Sequence, residues 1–173
     1  MADQHTDGLY AEIRQKFGQS GAGANGYQMR SFFRREQALL YSLLGHADLP
    51  VLDIACGSGL MLASLPSGRG EVIGLDYNQL ACIDAKRNGL TVLRGDAFSL
   101  PFVNGSIAQV VNCQFLNQQS NENTRQFIEE VARVLKPGGR LVLFWRYADS
   151  LFHRLCGALV WAGEWVRRAP RFP

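Results

Sequence analysis

Apolar residues along this chain gather in short continuous runs separated by stretches of helical spacing. The runs at 51–55, 72–75, 91–93, 107–113 and 141–145 read as strands, apolar through most of their length. Strands of that kind belong in a parallel sheet covered on both faces. Between and before them the period lengthens. Residues 31–44 place Phe32, Phe33, Leu39, Leu40, Leu43 and Leu44 at mixed three- and four-residue spacing, which predicts a helix stopped by Gly45. A helix is expected over 60–65. Another runs from an Asn78 N-cap to about Arg87. A strongly periodic helix over 123–135 puts Phe127, Val131, Val134 and Leu135 on one side, and Lys136-Pro137-Gly138-Gly139 ends it through a basic last turn. Residues 150–168 read as one apolar helix with Phe152, Leu155, Leu159, Trp161 and Trp165.

Strand and helix therefore alternate. The expected fold is α/β, a doubly wound, Rossmann-like, mostly parallel sheet flanked by helices. The domain is expected over 30–173, with its core at 50–146. Residues 1–29 hold Gly18, Gly21, Gly23 and Gly26 close together, and such a run resists regular structure. They read either as a disordered tail or as a lid in which Tyr10, Phe17 or Tyr27 covers a ligand.

Composition adds limits. At 173 residues the chain is one domain by size, and 47% hydrophobic content is enough for a core. A net charge of +3, with the basic residues spread out, does not point to nucleic acid. Residues 1–8 have no secretory-signal pattern, and no apolar run approaches a membrane span. The four cysteines, Cys56, Cys82, Cys113 and Cys156, lack the paired spacing of a disulfide framework or zinc site, so reduced thiols, a cytoplasmic location and no bound metal are expected.

The chemistry concentrates in Asp53-Ile54-Ala55-Cys56-Gly57-Ser58-Gly59, where a strand feeds a glycine turn and the turn feeds a helix. Gly57 and Gly59 let the backbone approach a ligand closely, and the helix start offers free N–H groups. A dinucleotide site would want a small third residue, and here that position is Leu62. A dinucleotide also gives little reason for Asp53 at the strand end. A sulfonium amino acid gives one, because its ammonium would sit there. Asp76, ending the second strand before Tyr77, can accept both ribose hydroxyls or can simply open a helix. Asp96, in Gly95-Asp96-Ala97, can take an adenine amine while the following N–H serves a ring nitrogen; an Asx turn is the other reading.

With Leu100-Pro101-Phe102 and Val134-Leu135-Lys136-Pro137-Gly138-Gly139-Arg140-Leu141, these segments resemble class I methyltransferases. The chain is similar to the group that includes the ubiquinone and menaquinone C-methyltransferases, over about residues 50–145. The resemblance implies S-adenosylmethionine as cofactor, with S-adenosylhomocysteine as product. It implies a binding set of Asp53, Ala55, Cys56, Gly57, Ser58, Gly59, Asp76, Tyr77, Asp96, Ala97, Cys113 and Gln114. The Lys-Pro-Gly-Gly motif is mostly structural in that family.

There are two departures. The family often carries an acid in a Ser-Phe-Asp triplet before the fourth strand, where this chain has Ser106-Ile107-Ala108. The family sheet also closes with a sixth and seventh strand, and the chain is expected to stop before them. It would then be a truncated piece or a short variant. The fifth strand becomes an exposed edge open to oligomerisation.

The expected reaction is methyl transfer by in-line displacement to a small, apolar acceptor, quinone-like or a lipid. No dedicated base stands out. Gln114 and His153 are the catalytic candidates, and Asn117 and Gln118 can orient cofactor or acceptor. The last helix, with Arg167, Arg168 and Arg171 beyond its tryptophans, can cap an apolar substrate, touch a membrane surface, or simply pack. The rival readings are a nucleotide-cofactor oxidoreductase, disfavoured by Leu62, and a catalytically inactive methyltransferase-like domain that binds a partner.

Overall fold

The computed structural model describes residues 28–44, 50–63, 71–116 and 119–144. Tyr10, Phe17 and Tyr27 of the expected lid, the expected 150–168 helix with His153, and Asn117 and Gln118 lie outside the described residues, whereas Gln28 and Met29, expected in the loose segment, are already helical. In chain order the elements are α1 (Gln28–Leu44), β1 (Val51–Ile54), α2 (Leu60–Ala63), β2 (Val72–Asp76), α3 (Gln79–Arg87), β3 (Thr91–Arg94), β4 (Ile107–Cys113), α4 (Asn121–Val134) and β5 (Leu135–Phe144).

The strands form one five-stranded sheet in the order β3-β2-β1-β4-β5, and every pairing is parallel. The chain builds outward from β1 to β3, then returns to lay β4 on the other side of β1. β4 is buried from Ile107 to Asn112, as a mostly apolar strand in a twice-covered sheet should be, with Gln109 and Asn112 the buried polar residues in it. Successive side chains go to opposite faces. Leu52 and Val110 join Phe127, Val131 and Val134 of α4, whereas Val51 and Val111 join Leu40 and Leu44 of α1. Beside the second group, Cys82 and Ala85 of α3 pack on Leu90 and Val92.

Local chemistry explains the helix starts. Asn78 caps α3, its Oδ1 accepting from the Ala81 amide at 3.0 Å. Ser120 caps α4, its Oγ accepting from the Asn123 amide at 3.1 Å, so α4 begins two residues before the periodicity suggests.

Of the leucines in α1, Leu40 and Leu44 are buried, whereas Leu39 and Leu43 are 53% and 47% exposed. Adjacent helical residues point about 100° apart, and one sheet face covers only a stripe of that order. One expectation is corrected: Lys136-Pro137-Gly138-Gly139 does not end the helix expected over 123–135, but lies in β5. That helix stops at Val134, and Leu135 already pairs with Ile107. The next pair is Gln109 with Arg140, so residues 136–139 bulge out of the ladder, with Gly138 at φ 77°. A bulge suits Pro137, which has no N–H to give the ladder.

β5 is an edge of the described sheet. Among the described residues no helix is long and apolar enough to cross a membrane.

Candidate active site

The strand order reverses between β1 and β4, and ligands of open α/β sheets bind at the carboxyl ends of the strands beside such a switch. At that end β1 runs into a turn bonded to β2. The Cys56 amide, two residues beyond β1, donates to the Leu75 carbonyl at 3.1 Å. The Gly59 amide closes the turn on the Cys56 carbonyl at 2.9 Å. Ala55, Gly57 and Gly59 all have left-handed backbones, at φ 56°, 56° and 73°.

The two glycines do different work. A Cβ at Gly57 would meet nothing within 4 Å, so this residue faces open space. A Cβ at Gly59 would come within 2.9 Å of Leu90 and 3.2 Å of Ala85, so this residue lets α3 and its following loop pack close. Leu62, at the position where a dinucleotide site wants a small residue, is a buried core side chain. Ser58 contributes its carbonyl to the Asn88 side-chain amide at 2.9 Å.

Asp76 ends β2 and reaches into this turn. Its Oδ2 accepts from the Gly57 amide and its Oδ1 from the Asn78 amide, both at 2.8 Å. Burial raises its pKa, against the lowering effect of those backbone bonds. Asp53, in register with Gly74 of β2 and Val111 of β4, is 1% exposed. Its Oδ1 has no hydrogen-bond partner. Burial first, and then the nearby Asp76 charge, push its carboxyl up to about 8. An acid in that state is short of a cation or donor.

Burial disfavours the thiolate of both cysteines beside the turn. Cys56 and Cys113 are both pushed well above the ordinary thiol range, first by burial and then by the Asp53 charge. They stay protonated and line the site as small apolar groups.

Asp96 is brought near Asp76 because the Gly95 amide donates to the Asp76 carbonyl at 3.0 Å. It is exposed, and the Asx turn forms: its Oδ1 accepts from the Phe98 amide at 2.9 Å. Ala97 beside it is buried in the core. Tyr77 is exposed, and the Arg94 guanidinium lies 5.7 Å from its ring centre while Arg94 Nε donates to the Tyr77 carbonyl at 3.0 Å. On the other side of β1, Cys113 ends β4 and Gln114 follows at φ 67°, its amide donating to the Phe144 carbonyl at 2.9 Å.

Three residues hold the surroundings of this turn in ways that the sequence reading did not assign. Asn112, 1% exposed, donates from Nδ2 to the Ile54 carbonyl at 2.8 Å and so holds the end of β1 where the turn begins. An amide inside an otherwise apolar strand was the available signal. Arg133 and Glu130 of α4 grip the loop after Asp96. Nothing in their helical spacing separates them from an ordinary exposed ion pair.

The profile of the methyltransferase-domain family matches residues 52–143, more than half of the chain. A probable S-adenosylmethionine-dependent methyltransferase of Mycolicibacterium smegmatis is 30% identical over 118 residues, covering 66% of this chain and 45% of that protein. A demethylmenaquinone methyltransferase of Lactococcus lactis is 36% identical over 104 residues, covering 54% of this chain and 40% of that protein. The chain thus spans less than half the length of these two curated relatives. Among solved structures, the PH0226 protein of Pyrococcus horikoshii superposes with a TM-score of 0.61 at 24% identity, covering 79% of this chain and 64% of that one, a likeness of fold. The turn between β1 and α2, the parallel sheet and the family match agree: the chain belongs to the class I S-adenosylmethionine-dependent methyltransferases.

Proposed function

We propose that this chain binds S-adenosylmethionine at the carboxyl ends of β1, β2 and β4 and promotes methyl transfer to a small, apolar acceptor. The observation that carries the reading is the Asp76 carboxylate bonded to the Gly57 amide, beside the open face of Gly57. The cofactor fits the residues present. Asp53 has a buried oxygen in want of a donor, as an ammonium group would provide. Gly57 leaves room for a ligand against the backbone.

In this reading Asp53 answers the amino group of the methionine part. The Ala55–Gly59 turn, with Cys56 and Ser58, follows the ligand's length. Asp76 accepts from the ribose hydroxyls, with Tyr77 alongside. Asp96 takes the adenine amine and the Ala97 amide a ring nitrogen. Cys113 and Gln114 stand at the end where the acceptor arrives, and Gln114 orients it. When bound, the cofactor supplies a methyl group activated on a sulfonium centre. The chain's own part is to align the acceptor in line with that group and to exclude water. Alignment of this kind is worth on the order of 7–11 kcal/mol of a barrier.

The apolar acceptor is supported by the Lactococcus lactis relative, a demethylmenaquinone methyltransferase. The three described cysteines are free, in keeping with work in a reducing cytoplasm.

Calorimetric titration with S-adenosylhomocysteine, beside an Asp76→Ala variant, tests the site. Micromolar binding is expected, weakened about tenfold or more in the variant, since that ratio corresponds to ~1.4 kcal/mol. A folded chain that binds nothing would sink the reading.

A further inference from the structure

Helix α4 carries two side-chain ion pairs of different consequence. Arg125 meets Glu129 at 2.8 Å with both side chains mostly in solvent, 70% and 59% exposed. Arg133 meets Glu130 at 2.7 Å, and these side chains are 31% and 21% exposed. The second pair does not stop at itself. Arg133 Nη2 donates to the Leu100 carbonyl at 2.9 Å, and Nη1 donates to the Phe102 carbonyl and to Asn104 Oδ1, both at 2.8 Å. Glu130 Oε2 accepts from the Leu100 amide at 2.7 Å. The Gly105 amide donates to the Arg133 carbonyl at 2.9 Å, and Gln126 Nε2 donates to the Phe98 carbonyl at 3.2 Å. The segment that leaves Asp96 is therefore fastened to one helix from Phe98 to Gly105. Apolar contacts run the same way: the Phe98 ring lies 5.7 Å from that of Phe115, and Phe115 lies 6.0 Å from Phe127 of α4.

We propose that Arg133 and Glu130 are positioning residues for base selectivity, holding the 98–105 loop so that Asp96 and Ala97 are set for an adenine. The inference rests on the reading of Asp96 given above. The guanidinium suits the task because its planar fork serves Glu130 and three loop oxygens together, which an ammonium cannot do. Hydrogen bonds from or to charged groups are also the stronger ones, and these are shielded in part from water. Asp96 itself is exposed, bonded to the Phe98 amide and linked by the Ser99 amide to its own carbonyl at 3.2 Å. The placement of its carboxylate therefore follows the loop more than any packing of its own.

The test is a ratio of affinities. S-adenosylhomocysteine and S-inosylhomocysteine differ at the base, where an amine donor is replaced by a carbonyl acceptor and the adjacent ring nitrogen turns from acceptor to N–H donor. Their Kd values are measured for the unmodified chain and for Asp96→Ala, Arg133→Lys, Glu130→Gln and Arg125→Ala, each checked for a cooperative thermal transition. A loss of folded fraction weakens both ligands alike and leaves the ratio unchanged. The unmodified chain is expected to prefer the adenine compound by about tenfold or more. Asp96→Ala lowers that preference, leaving the part that the Ala97 amide supplies. Arg133→Lys and Glu130→Gln lower it by at least about threefold although both keep the side chain's size and a polar end, and Arg125→Ala leaves it intact. If Asp96→Ala lowers the ratio but Arg133→Lys and Glu130→Gln do not, the positioning role is overturned while the Asp96 reading stands. If Asp96→Ala leaves the ratio unchanged, the Asp96 reading fails and the positioning role fails with it.

Discussion

The Gly57 amide donates to Asp76 Oδ2 at 2.8 Å across 19 residues of chain, joining the glycine turn after β1 to the end of β2. The other oxygen of that carboxylate accepts from the Asn78 amide at 2.8 Å, so one side chain fixes both the turn and the start of α3. An amide side chain has one oxygen and cannot accept at both ends. Asp76→Asn is therefore expected to lose about 1–3 kcal/mol of stability, read from denaturant unfolding. Its affinity for S-adenosylhomocysteine should fall about tenfold or more.

Gly57 and Gly59 should separate binding from folding. Gly57→Ala meets only left-handed backbone strain, about 1–2 kcal/mol, because nothing lies within 4 Å of the new methyl group. It should fold and bind S-adenosylhomocysteine poorly, since the methyl occupies the open side of the turn. Gly59→Ala adds overlap with Leu90 at 2.9 Å to the same strain. It should lose about 2–4 kcal/mol in stability, measured by thermal or urea unfolding. Equal stability loss in the two variants would contradict this division.

Ala55 holds φ 56° without being glycine. Ala55→Gly should relieve that strain, at the cost of a more flexible unfolded chain. The net expectation is a gain of about 0.5–1 kcal/mol, visible as a higher Tm. A lower Tm would mean that the alanine methyl group packs usefully.

The Asp53 carboxyl, raised from 3.8 to about 8 by burial and then by Asp76, makes stability fall with rising pH. Between those values the folded chain holds a proton that the unfolded chain has released. The contribution is complete below the unfolded pKa and is lost as pH climbs toward the folded one. The Tm of the ligand-free chain should drop between about pH 4 and pH 8 on this account. Asp53→Asn, which cannot ionise, should flatten the slope, leaving the contribution of Asp76, whose carboxyl burial also raises. A slope unchanged in that variant would remove Asp53 as its source.

Much of this architecture could be read locally. β1, β2 and β4 are mostly apolar runs, and burial on both faces leaves such runs few alternatives. The Asn78 cap is a bond to the amide three residues on, so its meaning is contained within one turn. The strand–turn–helix segment around Gly57 announced a ligand because left-handed positions and close backbone approach both favour glycine there.

What only the tertiary structure decided involves partners far apart in sequence. Whether Leu39 or Leu40 is buried depends on which stripe of α1 meets the sheet, and a helix with apolar residues at both positions does not say. Arg133 reaches the Leu100 carbonyl across 33 residues, and Asn112 reaches the Ile54 carbonyl across 58. Asp53 could be placed at a strand end from its motif, but its missing partner appears only once β2 and β4 close on either side. Propensity and periodicity act over a turn or a strand. The bonds that hold the loops of this site form only when the sheet brings distant segments within 3 Å or so, a hydrogen-bond distance.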